Sequence, residues 1–113
     1  MIEATLISYL SGRTSAGAAV YAEIPRNPSA KYIIVEKTGS MTEDRVTTYT
    51  VAIKSYASSM IDAASLNEEV KDLMKLAPYL DDISSCKLNS DYNFTDPTSK
   101  QYRYQAVFQI TYF

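Results

Sequence analysis

Along Gln101–Phe113 apolar and polar side chains alternate. The even positions are Tyr102, Tyr104, Ala106, Phe108, Ile110 and Tyr112; the odd ones, up to Thr111, are Arg103, Gln105, Val107, Gln109 and Thr111. Successive strand side chains point to opposite faces, so this spacing predicts a long antiparallel strand with an apolar, aromatic face on the core. Its other face is left to water or another chain. Arg45–Ala57 repeats the pattern, with Tyr49, Val51 and Ile53 set against Thr48, Thr50 and Lys54. Lys31–Lys37 is a short β-branched run and reads as a third strand. Ala19–Ile24 is a shorter strand closed by Pro25 and Pro28, which lack backbone donors. Asp82–Leu88 is a further strand candidate.

Elsewhere the period changes to that of a helix. Ile2, Leu6, Tyr9 and Leu10 form one stripe, and Gly12 follows as a helix stop. Ser58 or Ser59 can cap a second helix, because a serine oxygen accepts from the orphan amides of the first turn. Ala63, Leu66, Val70, Leu73, Met74 and Ala77 recur on its apolar face, with Glu68, Glu69, Lys71, Asp72 and Lys75 off that face. Pro78 ends it. The polar stretch Thr38–Asp44 reads as a hairpin tip, and Asn89–Lys100, rich in turn formers, reads as a loop. The predicted order is α-β-β-β-α-β-β, in one domain over residues 1–113. Two helices with one apolar face each pack economically on one side of one sheet. The expected fold class is therefore α+β: a two-layer sandwich with a mostly antiparallel sheet of four to five strands, joined by hairpins. The even face of the last strand is expected beneath Leu66, Val70, Leu73 and Met74.

Composition narrows the function classes. With 46% apolar and 21% charged residues the chain has enough core-forming side chains to fold, which excludes disorder. A net charge of -2 and a pI near 5.0 give no basic footprint for nucleic acid. No apolar run is long enough to span a bilayer, and no charged-then-apolar leader pattern opens the sequence. Cys86 is the single cysteine, so no internal disulfide forms and a reducing compartment is expected. The chain has no histidine, which removes the commonest general base and metal ligand. It has ten tyrosines and no tryptophan; tyrosine buries a ring and keeps a polar handle, suiting half-buried sheets and protein interfaces.

Each candidate for chemistry lacks a necessary part. Gly12–Gly17 spaces two glycines as a phosphate loop does, but it follows a helix and has no Lys-Ser/Thr after it. In Asp91-Tyr92-Asn93-Phe94-Thr95-Asp96 oxygen-bearing side chains alternate as calcium ligands do. Asp96, however, stands where that loop needs glycine, and no glutamate follows at its twelfth position. Cys86 has no histidine to activate it and reads as a small buried hydrophobe. Asp81-Asp82 and Glu68-Glu69 are adjacent pairs that do not converge on one site. Tyr102 and Tyr104 with Arg103 could stack bases, but the acidic balance opposes it. The expectation is a non-enzyme without catalytic residues, cofactor or metal.

The order of these elements resembles the small tail-terminator, or tail-completion, proteins of long-tailed bacteriophages and prophages. The resemblance runs over nearly the whole chain. An N-terminal helix leads to Tyr21-Ala22-Glu23-Ile24-Pro25, then to the strand Tyr32–Gly39 and a hairpin into Arg45-Val46-Thr47. Next come Ser55-Tyr56-Ala57, a helix from about Ser58 to Ala77, and finally Asp96-Pro97 with Arg103-Tyr104-Gln105 in the last strand. It implies a structural protein of the virion, assembled in the host bacterial cytoplasm. Such proteins form a ring, hexameric, on the head-proximal end of the tail tube, ending its polymerisation and docking the head connector. The implied partners are other copies of the chain, the tail tube protein and the connector or head-completion protein. DNA passes through the lumen without specific binding, and no membrane is involved. Expected contact residues are Gly39, Ser40, Met41, Thr42, Glu43, Asp44 and Arg45 on the hairpin, Asp91, Asn93 and Asp96 on the loop, and Arg103 and Gln105 on the polar side of the last strand. The alternatives are another head-tail joining component, or a cellular adaptor whose sheet edge takes a peptide or protein.

Overall fold

A computed structural model describes residues 1–15 and 17–112. Ala16 of the predicted Gly12–Gly17 loop and Phe113 of the predicted last strand lie outside the described residues. The elements are α1 (Ile2–Leu10), β1 (Ala19–Tyr21), β2 (Tyr32–Glu43), β3 (Val46–Ala57), α2 (Met60–Lys75), β4 (Ile83–Asn93) and β5 (Tyr102–Tyr112). A 3₁₀ turn at Ala77–Tyr79 joins α2 to β4. The strands form one sheet in the order β1-β2-β3-β5-β4. The α+β class and the element order are those expected from the sequence.

The helices start and stop where local chemistry dictates. α1 buries Ile2, Leu6 and Leu10, and Gly12 then takes φ 74°, a left-handed turn that glycine adopts without a Cβ clash. Tyr9, on the edge of the stripe, is half-buried and donates its hydroxyl to the Leu73 carbonyl at 2.7 Å, tying α1 to α2. Ser59 caps α2, its hydroxyl accepting from the Asp62 amide at 3.2 Å. Pro78 has no amide to continue the α-helical ladder, so α2 ends at Lys75 and the next residues tighten into the 3₁₀ turn.

Both helices pack on one face of the sheet. Val51 and Ile53 of β3 lie opposite Phe108 and Ala106 of β5, and all four are buried against Leu66, Val70 and Met74 of α2. Ile33 and Val35 of β2 join the same cluster beneath Ile2, Leu6 and Leu10 of α1. The even face of β5 is thus the floor of the core, as its alternation predicts, with Ala106, Phe108 and Ile110 buried.

Three details differ from the sequence reading. β1 pairs parallel to β2, where hairpin connections alone were expected; ten residues, Ala22–Lys31, carry the chain back, and the two prolines among them keep that crossover out of the sheet. The expected hairpin tip Thr38–Asp44 is mostly strand: β2 continues to Glu43, and only Asp44 and Arg45 turn, at φ 50° and 68°. Cross-strand pairing with threonine-rich β3 carries it, including a Thr42–Thr47 hydroxyl contact at 2.9 Å. Likewise β4 runs through Asn93, so the loop expected from Asn89 starts at Phe94. β5 imposes its register there, and the turn former Asn89 is absorbed as a bulge between Leu88 and Ser90.

Two stability outcomes follow. Phe108→Ala should lower the unfolding free energy by about 3–5 kcal/mol in urea denaturation, because the ring fills the floor of the core. Arg45→Gly should raise it by about 0.5–1 kcal/mol, since a left-handed φ costs a residue with a Cβ more than it costs glycine.

Candidate assembly surface

The helix-free face of the sheet is organised by aromatic rings. Odd positions of β5 and even positions of β3 share it, so Arg103 stands opposite Tyr56 and Gln105 opposite Lys54. Tyr32 and Tyr56 stack at 4.5 Å with their planes 7° apart, and Tyr21 tilts against Tyr32 at 6.4 Å. The Arg103 guanidinium lies 5.9 Å from the Tyr56 ring centre and 4.5 Å from that of Phe94. Phe94 meets Tyr92 edge-on at 5.9 Å. Read across the strand order, these contacts make a ladder from β1 to β4.

Arg103 is the pivot of that ladder. Its Nε donates to the Phe94 carbonyl at 2.6 Å and its Nη1 to Gln101 Oε1 at 3.0 Å, which clamps the β4–β5 loop to the sheet. Gln105 Nε2 donates to the Tyr92 hydroxyl at 2.7 Å. Burial raises the Tyr32 hydroxyl pKa, with neighbouring Tyr56 adding to the shift. The inner rings are buried, so no stacked base can enter between them. Tyr102 and Tyr104 belong to the opposite, even face of β5, so they and Arg103 do not form one stacking platform.

Away from the ladder the face is polar and shallow. Glu36 and Lys54 pair across β2 and β3 at 2.8 Å, and Thr48, Thr50, Gln109, Thr111 and Lys87 occupy the rest. The sheet then ends in two unlike free edges. On one side β1 covers only Tyr32, Ile33 and Ile34 of β2, leaving Val35–Glu43 without a strand beyond it. On the other side lies the whole outer edge of β4.

The expected contact residues separate into three groups, with Asp96 apart from them in the β4–β5 loop. Gly39, Ser40, Met41, Thr42, Glu43, Asp44 and Arg45 form the far end of the β2–β3 ribbon, all exposed except the half-buried Gly39. Arg103 and Gln105 belong to the helix-free face, bound to their own chain as described. Asp91 and Asn93 turn to the helix side. Asp91 accepts from Asn67 Nδ2 and from Lys71 Nζ, each at 3.0 Å, and Asn93 Nδ2 meets Met60 Sδ at 3.3 Å. Asp96 accepts from the Thr98 amide at 3.0 Å and bridges to Gln101, and its hydrogen bonds to Ser99 and Thr98 hold its carboxyl pKa below the ordinary value. Asp91 is therefore a staple between β4 and α2, with Glu68 and Asp91 together raising the Lys71 pKa. The sequence reading missed Tyr32, Tyr56 and Lys87. Their positions on alternating strands were the available signal, but which strands lie side by side was not.

Between α2 and β4 sits a cavity of about 150 Å³, with Met74, Cys86, Leu88 and Phe108 in its lining and Lys71 and Lys75 at its rim. Burial pushes the Cys86 thiol up to about 11, which keeps it protonated and unreactive at neutral pH. Among the described residues no three His, Cys, Asp or Glu side chains group to hold a metal ion, and no helix is long and apolar enough to cross a membrane. Scans against protein-family models and against curated proteins return no match.

The Asp91 staple has a measurable value. Asp91→Ala should cost about 1–3 kcal/mol of stability, because it strips buried Asn67 and half-buried Lys71 of a shared partner. A loss near zero in denaturation would place Asp91 among surface contacts instead.

Proposed function

We propose that this protein is a structural component of a long-tailed phage particle, a tail terminator that forms a ring on the head-proximal end of the tail tube. In this reading the ring ends tube polymerisation and gives the head connector its docking face. The observation that carries it is the pair of unlike free edges on one sheet. A contact between unlike surfaces repeats around a ring, whereas a like-with-like contact closes as a dimer. The exposed far end of the β2–β3 ribbon and the helix-free face supply further surface for the tube, the connector or neighbouring copies. The order of elements, from the N-terminal helix to the closing β4–β5 pair, is the one that resembles tail terminators. DNA would pass through the lumen without being held, in keeping with the chain's acidic balance.

A second reading rests on the cavity between α2 and β4. An adaptor could add a peptide strand to the β4 edge and seat one apolar side chain beside Leu88 and Phe108.

Native mass spectrometry separates the two. The ring reading expects closed assemblies of the 12.6 kDa chain, six copies in the form the resemblance implies. A monomer at every concentration up to about 100 times a 1 μM reference would overturn the ring and favour the adaptor.

A further inference from the structure

We infer that the two free edges of the sheet join one copy to the next: Val35–Glu43 of β2 pairs antiparallel with β4 of the neighbouring copy. This rests on the ring reading and specifies its contact. β2 and β4 run in opposite directions within one sheet, because each of the three pairings between them in the strand order is antiparallel. Rotation about an axis along the strands preserves that sense. Antiparallel pairing then arises at every junction, and the sheet continues from copy to copy.

Charge selects the partner and the register. Glu43 lies opposite Val46 and Lys87 opposite Gln109, which places both on the helix-free face. Both are exposed, and neither takes part in the ion pairs found among the described residues. Two β4 edges meeting about a two-fold axis near Leu88 would bring Lys87 close to its own copy, and like charges opposed across strands destabilise the pairing. Level alignment of β2 with β4 would bring Glu43-Asp44 beside Asp81-Asp82, acid against acid. Sliding β2 along β4 until Glu43 meets Lys87 removes that repulsion and supplies the stagger that a closed ring of strands needs. The same slide sets Met41, 64% exposed, opposite Ser90 and diagonal to Tyr92, 43% exposed, so apolar area is covered on both edges. The bulge at Leu88/Ser90 and the charge of Lys87 hinder non-specific pairing of an otherwise long open edge.

The test is a double substitution, Glu43→Cys with Lys87→Cys, on a Cys86→Ser background that removes the native thiol. Under mild oxidation the expected product on a non-reducing gel is a ladder of cross-linked copies ending at the ring, absent from either single variant. A charge swap checks it independently. Glu43→Lys alone and Lys87→Glu alone should each raise the concentration needed for assembly at least about tenfold, and the double swap should restore it. Assemblies that persist by native mass spectrometry with no ladder and no rescue would overturn the edge pairing while leaving the ring. A wild-type chain that never assembles would overturn both.

Discussion

The structure depends on the pairing of β3 with β5. These two interior strands pair without a break in register from Thr48 with Thr111 to Ala57 with Tyr102, and their facing apolar positions (Val51 with Phe108, Ile53 with Ala106) build the surface on which α2 rests. The contact is non-local, bringing together residues far apart in the chain, and it completes an apolar layer to which Ile33 and Val35 of β2 also contribute. α2 lies on this floor, the core extends to β2 and α1, and β4 lies at the rim of the sheet. Burial of apolar area stabilises this arrangement, and the backbone ladder fixes its register.

The two faces of that sheet obey different rules. The helix side is a packed core in which Asp91 accepts hydrogen bonds from Asn67 and Lys71. On the other side the described residues form no second layer, yet Tyr32, Ile34 and Tyr56 are still buried. Ring stacking and the Arg103 clamp supply the cover that a second layer would otherwise give. A cation between two rings holds the β4–β5 loop down while leaving the rest of the face open and polar. Rigidity near the ladder and openness away from it make a surface suited to contact with other chains.

The free edges carry the functional reading. An uncovered strand edge attracts other strands, and here the exposed β4 edge is tempered by a bulge and a lysine, with the β2 edge tempered by charge at its far end. The strained turn at Asp44-Arg45 belongs to the same region. A Cβ at a left-handed φ costs stability, so the tip is less stable than an Asn-Gly turn would make it, while it keeps an acid and a base exposed at the end of the ribbon.

Alternation and helical period by themselves determined the α+β class, the element order, the stripe of α2 and the core face of β5; between Ser58 and Ser59 as the cap of α2, the structure decided for Ser59. Those are local properties: side-chain direction repeats with the backbone, and burial selects the apolar set. Tertiary structure decided the rest. The turn-forming residues Asn89, Asp91 and Asn93 became strand because hydrogen bonding to β5 outweighs a weak local preference. Asp91 and Arg103, both read as contact residues, landed on opposite faces once the bulge in β4 shifted its alternation by one position. The parallel placement of β1, the aromatic ladder and the two unlike edges likewise required knowing which strands are neighbours, and a long-range pairing leaves no mark in a local pattern.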